Sequence, residues 1–98
     1  MSERPTVEVS DNKEESRYEA RVNGELAGVS FYEPQPDRLI VLHTEVRDAF
    51  EGQGVGSRLV AGMLDDVRRR GLSVTPLCPF TRAYIERHPE YDDLVAGR

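Results

Sequence analysis

Polar and apolar positions alternate through the first half of the chain and fall into a helical stripe in the second. Thr6 to Ser10 alternates weakly and predicts an edge strand, followed by the turn-forming run Asp11 to Ser16. From Arg17 to Val22 the alternation is clean. Tyr18, Ala20 and Val22 share one face and Arg17, Glu19 and Arg21 the other, as in a half-buried strand. Asn23-Gly24 is the dipeptide that most readily takes the positive φ angles of a two-residue hairpin turn. Glu25 to Glu33 is expected to pair back antiparallel, with Ala27, Val29 and Phe31 inward. Pro34 and Pro36 break it, because proline brings no amide to the ladder. Arg38 to Val46 is the most apolar strand. It is expected at the centre and covered on both faces, with Leu39, Val41, His43 and Glu45 on one side.

The period then changes. Val55, Leu59, Val60, Met63, Leu64 and Val67 form one stripe of an amphipathic helix, with Arg58, Asp65, Arg68 and Arg69 turned outward. Gly71 is its stop signal. Leu72 to Leu77 reads as a short strand reached through that helix, so its pairing with the central strand is expected to be parallel. Pro79 suits a first helical residue, Phe80 to Arg87 continues the helix, and His88-Pro89 ends it. The order β-β-β-β-α-β-α predicts an α+β fold: an antiparallel meander of about four strands leading into a parallel βαβ unit and a short C-terminal helix.

Length and composition narrow the function classes. The chain has 98 residues, so 1–98 is expected to be a single domain, with about 1–5 as a frayed end. The net charge of −5 disfavours nucleic acid as a partner and suits a cationic one. The single cysteine excludes an internal disulfide framework, and no Cys/His spacing suggests a metal site. No apolar run approaches the roughly 18 residues of a membrane span, and the amino terminus lacks the apolar core of a signal peptide. The expectation is a cytoplasmic monomer that binds neither membrane nor nucleic acid.

The stretch "AFEGQGVGSRLV", Ala49 to Val60, joins the central strand to the helix. Unpaired amides and the dipole at a helix start favour an anion, and glycines let a phosphate approach the backbone. A P-loop would need a lysine before Ser57, where Gly56 stands, and the dinucleotide fingerprint a third glycine where Leu59 stands. A strand-to-helix turn with no ligand is the bland alternative. The stretch "GQGVGSRL" resembles the acetyl-CoA-binding loop of the GNAT acetyltransferase superfamily, Gln/Arg-x-x-Gly-x-Gly/Ala. Gly54 and Gly56 then fill the two small positions, and Glu51 stands where Gln or Arg is usual. Together with "LHTEV" (Leu42 to Val46) and "LCPFTRAYIERHPEYDDLV" (Leu77 to Val95), it is similar to a minimal, single-domain GNAT type with a Cys-Pro-Phe element.

That resemblance implies an N-acetyltransferase moving an acetyl group from acetyl-CoA to a primary amine: a protein lysine, a polyamine or a small metabolite. It implies a CoA site built from Thr44, Val46, Gly52, Gln53, Gly54, Val55, Gly56, Ser57, Arg58 and Phe80. It also implies a backbone amide near Thr44 to Val46 for the developing oxyanion, and Tyr84 as proton donor to the departing thiolate. Tyr84 also repeats with Phe80 and Arg87 at helical spacing, so a core role stays open. Cys78 precedes Pro79 and a helix start, where the dipole lowers a thiol pKa. It either takes the acetyl group, lines the channel, or is an inert buried thiol. His43 is a candidate base, histidine being the side chain whose charge ordinarily changes near neutral pH, with Glu45 as runner-up or as its orienting partner; a core histidine is the alternative. The rival functional classes are a non-catalytic CoA- or acyl-CoA-binding or protein-interaction module, and a plain structural domain.

Overall fold

The computed structural model describes residues 6–97, so the expected fraying of residues 1–5 lies outside the described residues. Five strands form one sheet in sequence order: β1 (Val7–Asn12), β2 (Arg17–Val22), β3 (Glu25–Pro34), β4 (Arg38–Val46) and β5 (Ser73–Pro76). The first three junctions are antiparallel and β4–β5 is parallel, reached through helix α1 (Val55–Arg69). Helix α2 (Pro79–Arg87) follows β5, then a 3-10 segment, Pro89–Leu94. The meander and the βαβ unit therefore stand as the hydrophobic pattern predicts. Asp11 and Asn12 extend β1 into what reads as turn chemistry, because they pair with Tyr18 and Arg17.

The α1 stripe is buried in full: Val55, Leu59, Val60, Met63, Leu64 and Val67 all meet the sheet. The face opposite them is built from Tyr18, Ala20, Val22, Ala27, Tyr32, Leu39 and Val41. Two glycines set how closely the helix lies. A Cβ at Gly28 would meet the Glu45 carbonyl at 3.0 Å with Val55 and Leu59 just beyond, and one at Gly62 would meet Val9 Cβ at 2.7 Å.

Two register shifts correct the expected facing of β3 and β4. In β3, Ala20 pairs with Gly28 but Arg21 with Leu26, so Ala27 is an extra residue. Thereafter Gly28, Ser30 and Tyr32 point toward the helix, and Val29 and Phe31 point away, opposite to the expected order. In β4, Phe31 pairs with His43 but Tyr32 with Val41, so Leu42 is the extra residue. Such a bulge shifts the alternation by one place. Leu39 and Val41 face the helix before it and Thr44 and Val46 after it, which turns His43 and Glu45 to the other side. That side is not covered along this stretch: Leu42, His43 and Glu45 are all exposed. The expectation of a β4 covered on both faces, with His43 and Glu45 beside Leu39 and Val41, fails for this reason.

Candidate active site

The β4–β5 pairing ends early. It runs only from Arg38–Ser73 to Val41–Pro76, and the amides of Leu77 and Cys78 then both donate to the Val41 carbonyl. Beyond that point the chain turns into α2, and among the described residues Leu42 to Val46 has no strand on its β5 side. Unpaired backbone groups on a strand edge are a ready template for an extended partner.

At the end of that edge the chain makes a short 3-10 turn, Asp48–Phe50, and enters α1 through Gly54 in the left-handed region, φ +77°. No side chain caps the helix, and its first internal bond runs from the Arg58 amide to the Gly54 carbonyl. The Val55, Gly56 and Ser57 amides are therefore left for water or a ligand. They border a cavity of about 410 Å3 lined also by Val46, Phe50, Glu51, Gly52, Gly54 and Phe80. A Cβ at Gly56 would come within 2.8 Å of Phe80 Cζ, so the bare backbone there is what gives the ring its seat. Free amides, a dipole and a glycine wall fit the phosphate end of a coenzyme. Glu51 is the one acidic group among the lining residues. Gln53 is an exposed turn residue outside that lining. Arg58, half-buried on the first turn of α1, is outside it too.

On the helix side of β4, Thr44 links three elements. Its Oγ1 lies 2.9 Å from Ser30 Oγ, and the Cys78 thiol donates to it over 3.5 Å. Cys78 is the N-cap residue of α2 and only 2% exposed. Burial pushes its thiol pKa up, but the Thr44 hydroxyl, the backbone and side chain of Thr81 and the Phe80 amide outweigh that, leaving the thiol below its ordinary value. The Thr81 hydroxyl is fully buried and has no hydrogen-bond partner among the described residues. Sequence reasoning missed Thr81, although its position three residues past the Cys78 N-cap puts it in the same first turn of α2.

On the opposite side of the same strand, His43 Nε2 lies 3.1 Å from Glu45 Oε2, both exposed. The unpaired edge of β4 thus separates a buried thiol–hydroxyl cluster from an exposed imidazole–carboxylate pair. Tyr84 belongs to neither group. It is buried, stacks on His88 at 4.1 Å between ring centroids and tilts against Tyr91 at 6.0 Å. Burial, with Glu90 and Asp65 nearby, raises its pKa and holds its proton. His88, which ends α2, is half-buried in that stack.

Comparison with known proteins agrees with this layout. The family model described as GCN5-related N-acetyl-transferase matches residues 17–94. The Gallus gallus protein NATD1 is 29% identical over 85 residues, which cover 85% of this chain and 77% of that protein. Among solved structures, a GCN5-like protein from Staphylococcus aureus superposes with a TM-score of 0.67 at 20% identity, over 99% of this chain and 93% of that one. The ribosomal-protein-S18-alanine N-acetyltransferase from Escherichia coli gives 0.62 at 17% identity, over 90% of this chain and 54% of that larger one. The chain belongs to the GCN5-related N-acetyltransferase family.

Proposed function

We propose that the chain is an acetyl-CoA-dependent N-acetyltransferase acting on a primary amine. The observation that carries this reading is the conjunction of free amides at Val55, Gly56 and Ser57 with the unpaired β4 edge beside them. Acetyl-CoA, when bound, supplies an acetyl thioester. The α1 amides bind its phosphates, and Val46, Gly52, Gly54 and Phe80 shape the cavity around them. Backbone donors at Thr44 to Val46 stabilise the oxygen on which charge develops. From the exposed side, His43, oriented by Glu45, removes the proton of the incoming ammonium. The amine nitrogen then bonds to the acetyl carbon as the carbon–sulfur bond breaks, and the further proton that the nitrogen sheds balances the one taken up by the leaving sulfur to give the thiol. Cys78 is the titratable side chain hydrogen-bonded within the inner cluster, and Tyr84, one helical turn past Phe80, is the other candidate donor to the leaving sulfur. Cys78 either borders the acetyl group or accepts it, giving up its own proton to the leaving thiolate.

The test is calorimetry with CoA, acetyl-CoA, ATP and NAD. Binding of the first two alone supports the reading, and no CoA binding overturns it. Cys78→Ala is expected to keep CoA binding while turnover falls. Intact-protein mass after acetyl-CoA alone separates the routes, since an added acetyl group marks covalent transfer.

A specific observation favours a second reading, a module that binds CoA without turnover. Glu51 borders the cavity where phosphate would lie. CoA binding with no product across a panel of amines would select it. Residence in the cytoplasm, a monomeric state and independence of nucleic acid and membranes accompany both readings.

A further inference from the structure

The Thr81 hydroxyl, in the first turn of α2, is one of two buried side-chain polar atoms without a hydrogen-bond partner among the described residues. A threonine in a helix ordinarily turns its hydroxyl to a carbonyl three or four residues back. Cys78 and Leu77 stand at those positions, and the hydroxyl bonds to neither carbonyl. A buried hydroxyl without an acceptor is costly, so a group beside it that becomes an acceptor gives it a purpose. Cys78, at the N-cap, is that group: the Thr81 hydroxyl acts on its sulfur without forming a hydrogen bond to it.

The reason lies in where the proton is. The Cys78 thiol donates to Thr44 Oγ1 over 3.5 Å, and Thr44 Oγ1 lies 2.9 Å from Ser30 Oγ. A neutral thiol sulfur is a weak acceptor, whereas a thiolate accepts strongly. The first internal bond of α2 runs from the Arg82 amide to the Cys78 carbonyl, so the Phe80 and Thr81 amides have no helical acceptor. Burial pushes the thiol pKa up, and those amides with the Thr44 and Thr81 hydroxyls bring it below its ordinary value. These donors are all neutral, and α1 meets the same core through apolar side chains such as Val55 and Leu59.

We infer that Thr81 is a positioning residue for Cys78, its hydroxyl kept without a partner while the sulfur holds its proton and donating to the sulfur once that proton has left. The inference rests on the acetyltransferase reading and adds the group that carries the inner cluster through its charged state. As the carbon–sulfur bond of the thioester breaks, the Cys78 S–H proton passes to the leaving sulfur. The electron pair left on Cys78 then accepts a hydrogen bond from Thr81. In direct transfer the proton shed by the amine nitrogen restores the thiol, and in covalent transfer the same electron pair bonds to the acetyl carbon. Thr44 does not suffice alone, because its hydroxyl is shared with Ser30.

Thr81→Val removes the hydroxyl and nearly keeps the shape, and Thr81→Ser keeps the hydroxyl. The pH midpoint of Cys78 is read by iodoacetamide alkylation, which acts on the single cysteine of this chain. It is expected to rise by about one unit in Thr81→Val, the scale of one hydrogen bond to a charged group, and to return to the parent value in Thr81→Ser. Below that midpoint Thr81→Val should melt at or above the parent temperature, since no resting bond is lost. With acetyl-CoA and an amine that gives product, its kcat should fall about tenfold while KM for acetyl-CoA stays within about twofold. An unmoved midpoint, failure of Thr81→Ser to restore it, a Thr81→Val protein that melts well below the parent, or an unchanged kcat would each overturn the inference. Alkylation and melting need no coenzyme. Absence of CoA binding would therefore overturn the acetyltransferase reading and leave those two measurements to judge Thr81.

Discussion

Replacing Gly56 by alanine should separate the folding of this chain from its capacity to hold CoA. The added Cβ would lie 2.8 Å from Phe80 Cζ and 3.4 Å from Cε1 and Cε2. Those atoms are the far end of a ring that is 40% exposed, so the ring swings outward while the backbone stays. Position 56 is helical, and alanine there gains at most about 1 kcal/mol of helix propensity, less in a first turn. The lost ring contact offsets that gain. Stability is expected within about 0.5 kcal/mol of the parent, or about 3 °C in Tm. Binding should respond far more, because the methyl group and the displaced ring both enter the cavity bordered by Gly54, Val55 and Ser57. CoA affinity is expected to fall at least about tenfold, roughly 1.4 kcal/mol. Gly54→Ala is the control. Nothing lies within 4 Å of a Cβ there, but φ is +77°, so the variant should lose about 1 kcal/mol of stability to left-handed strain. Its CoA affinity should stay within about threefold of the parent, under 1 kcal/mol. Calorimetry with CoA and thermal melts without it read both quantities. A Gly56→Ala protein that melts normally and binds CoA as tightly as the parent would refute the assignment of the cradle.

Three further outcomes can be checked on the unliganded protein. The Tyr18 hydroxyl donates to Asp66 at 2.6 Å and accepts from Arg70 at 3.1 Å, so Tyr18→Phe is expected to cost about 1–2 kcal/mol in urea unfolding. No loss would mean that this network does not tie β2 to α1. The side-chain bond from Asn12, with those from Arg17 and Arg21, outweighs burial and holds the Glu19 carboxyl below its ordinary range. A depressed folded pKa gives stability that is present above the unfolded value of about 4.3 and lost as pH falls through the folded value. Glu19→Gln should therefore flatten the acid side of the stability profile below about pH 4, and an unchanged profile would count against it. Thr44→Val removes one of the hydroxyls that hold the Cys78 thiol below its ordinary pKa, so the pH midpoint of Cys78 alkylation should move upward. An unmoved midpoint would assign the depression to α2 alone.

How far the sequence could be read depends on how local each signal is. The α1 stripe was legible to the residue, because helical period and burial on one face are set within the segment itself. The hairpin at Asn23-Gly24 was legible for the same reason, and both residues have positive φ. The facing of His43 and Glu45 was not. Strict alternation from Leu39 places them inward, and only the pairing of Phe31 with His43 but Tyr32 with Val41 reveals the phase change. The 3-10 segment Pro89–Leu94 was missed because it has no amphipathic period. It is held by distant partners, the Arg68 side chain bonding Asp93 and the Glu90 carbonyl, and Tyr91 bonding Asp65. The candidate site was legible where it rests on backbone, at Gly54 to Ser57, and less so where it depends on which side chains meet. Cys78 and Thr44 stand 34 residues apart and touch, and while the i, i+4 spacing brings His88 onto Tyr84, nothing local showed that Tyr91 packs there too.

The single extra residue at Leu42 has a consequence for how this strand can vary. Because it inverts the alternation, the stretch up to Val41 answers to the core and the stretch from His43 onward divides its side chains between the cofactor side and the open side. Substitutions at His43 or Glu45 can accordingly change the chemistry offered to an acceptor without repacking the interior. Losing or gaining one residue at position 42 would instead turn Thr44 outward and bring His43 and Glu45 against α1. Across related chains, this strand should tolerate exchange of residue types far better than any change in its length.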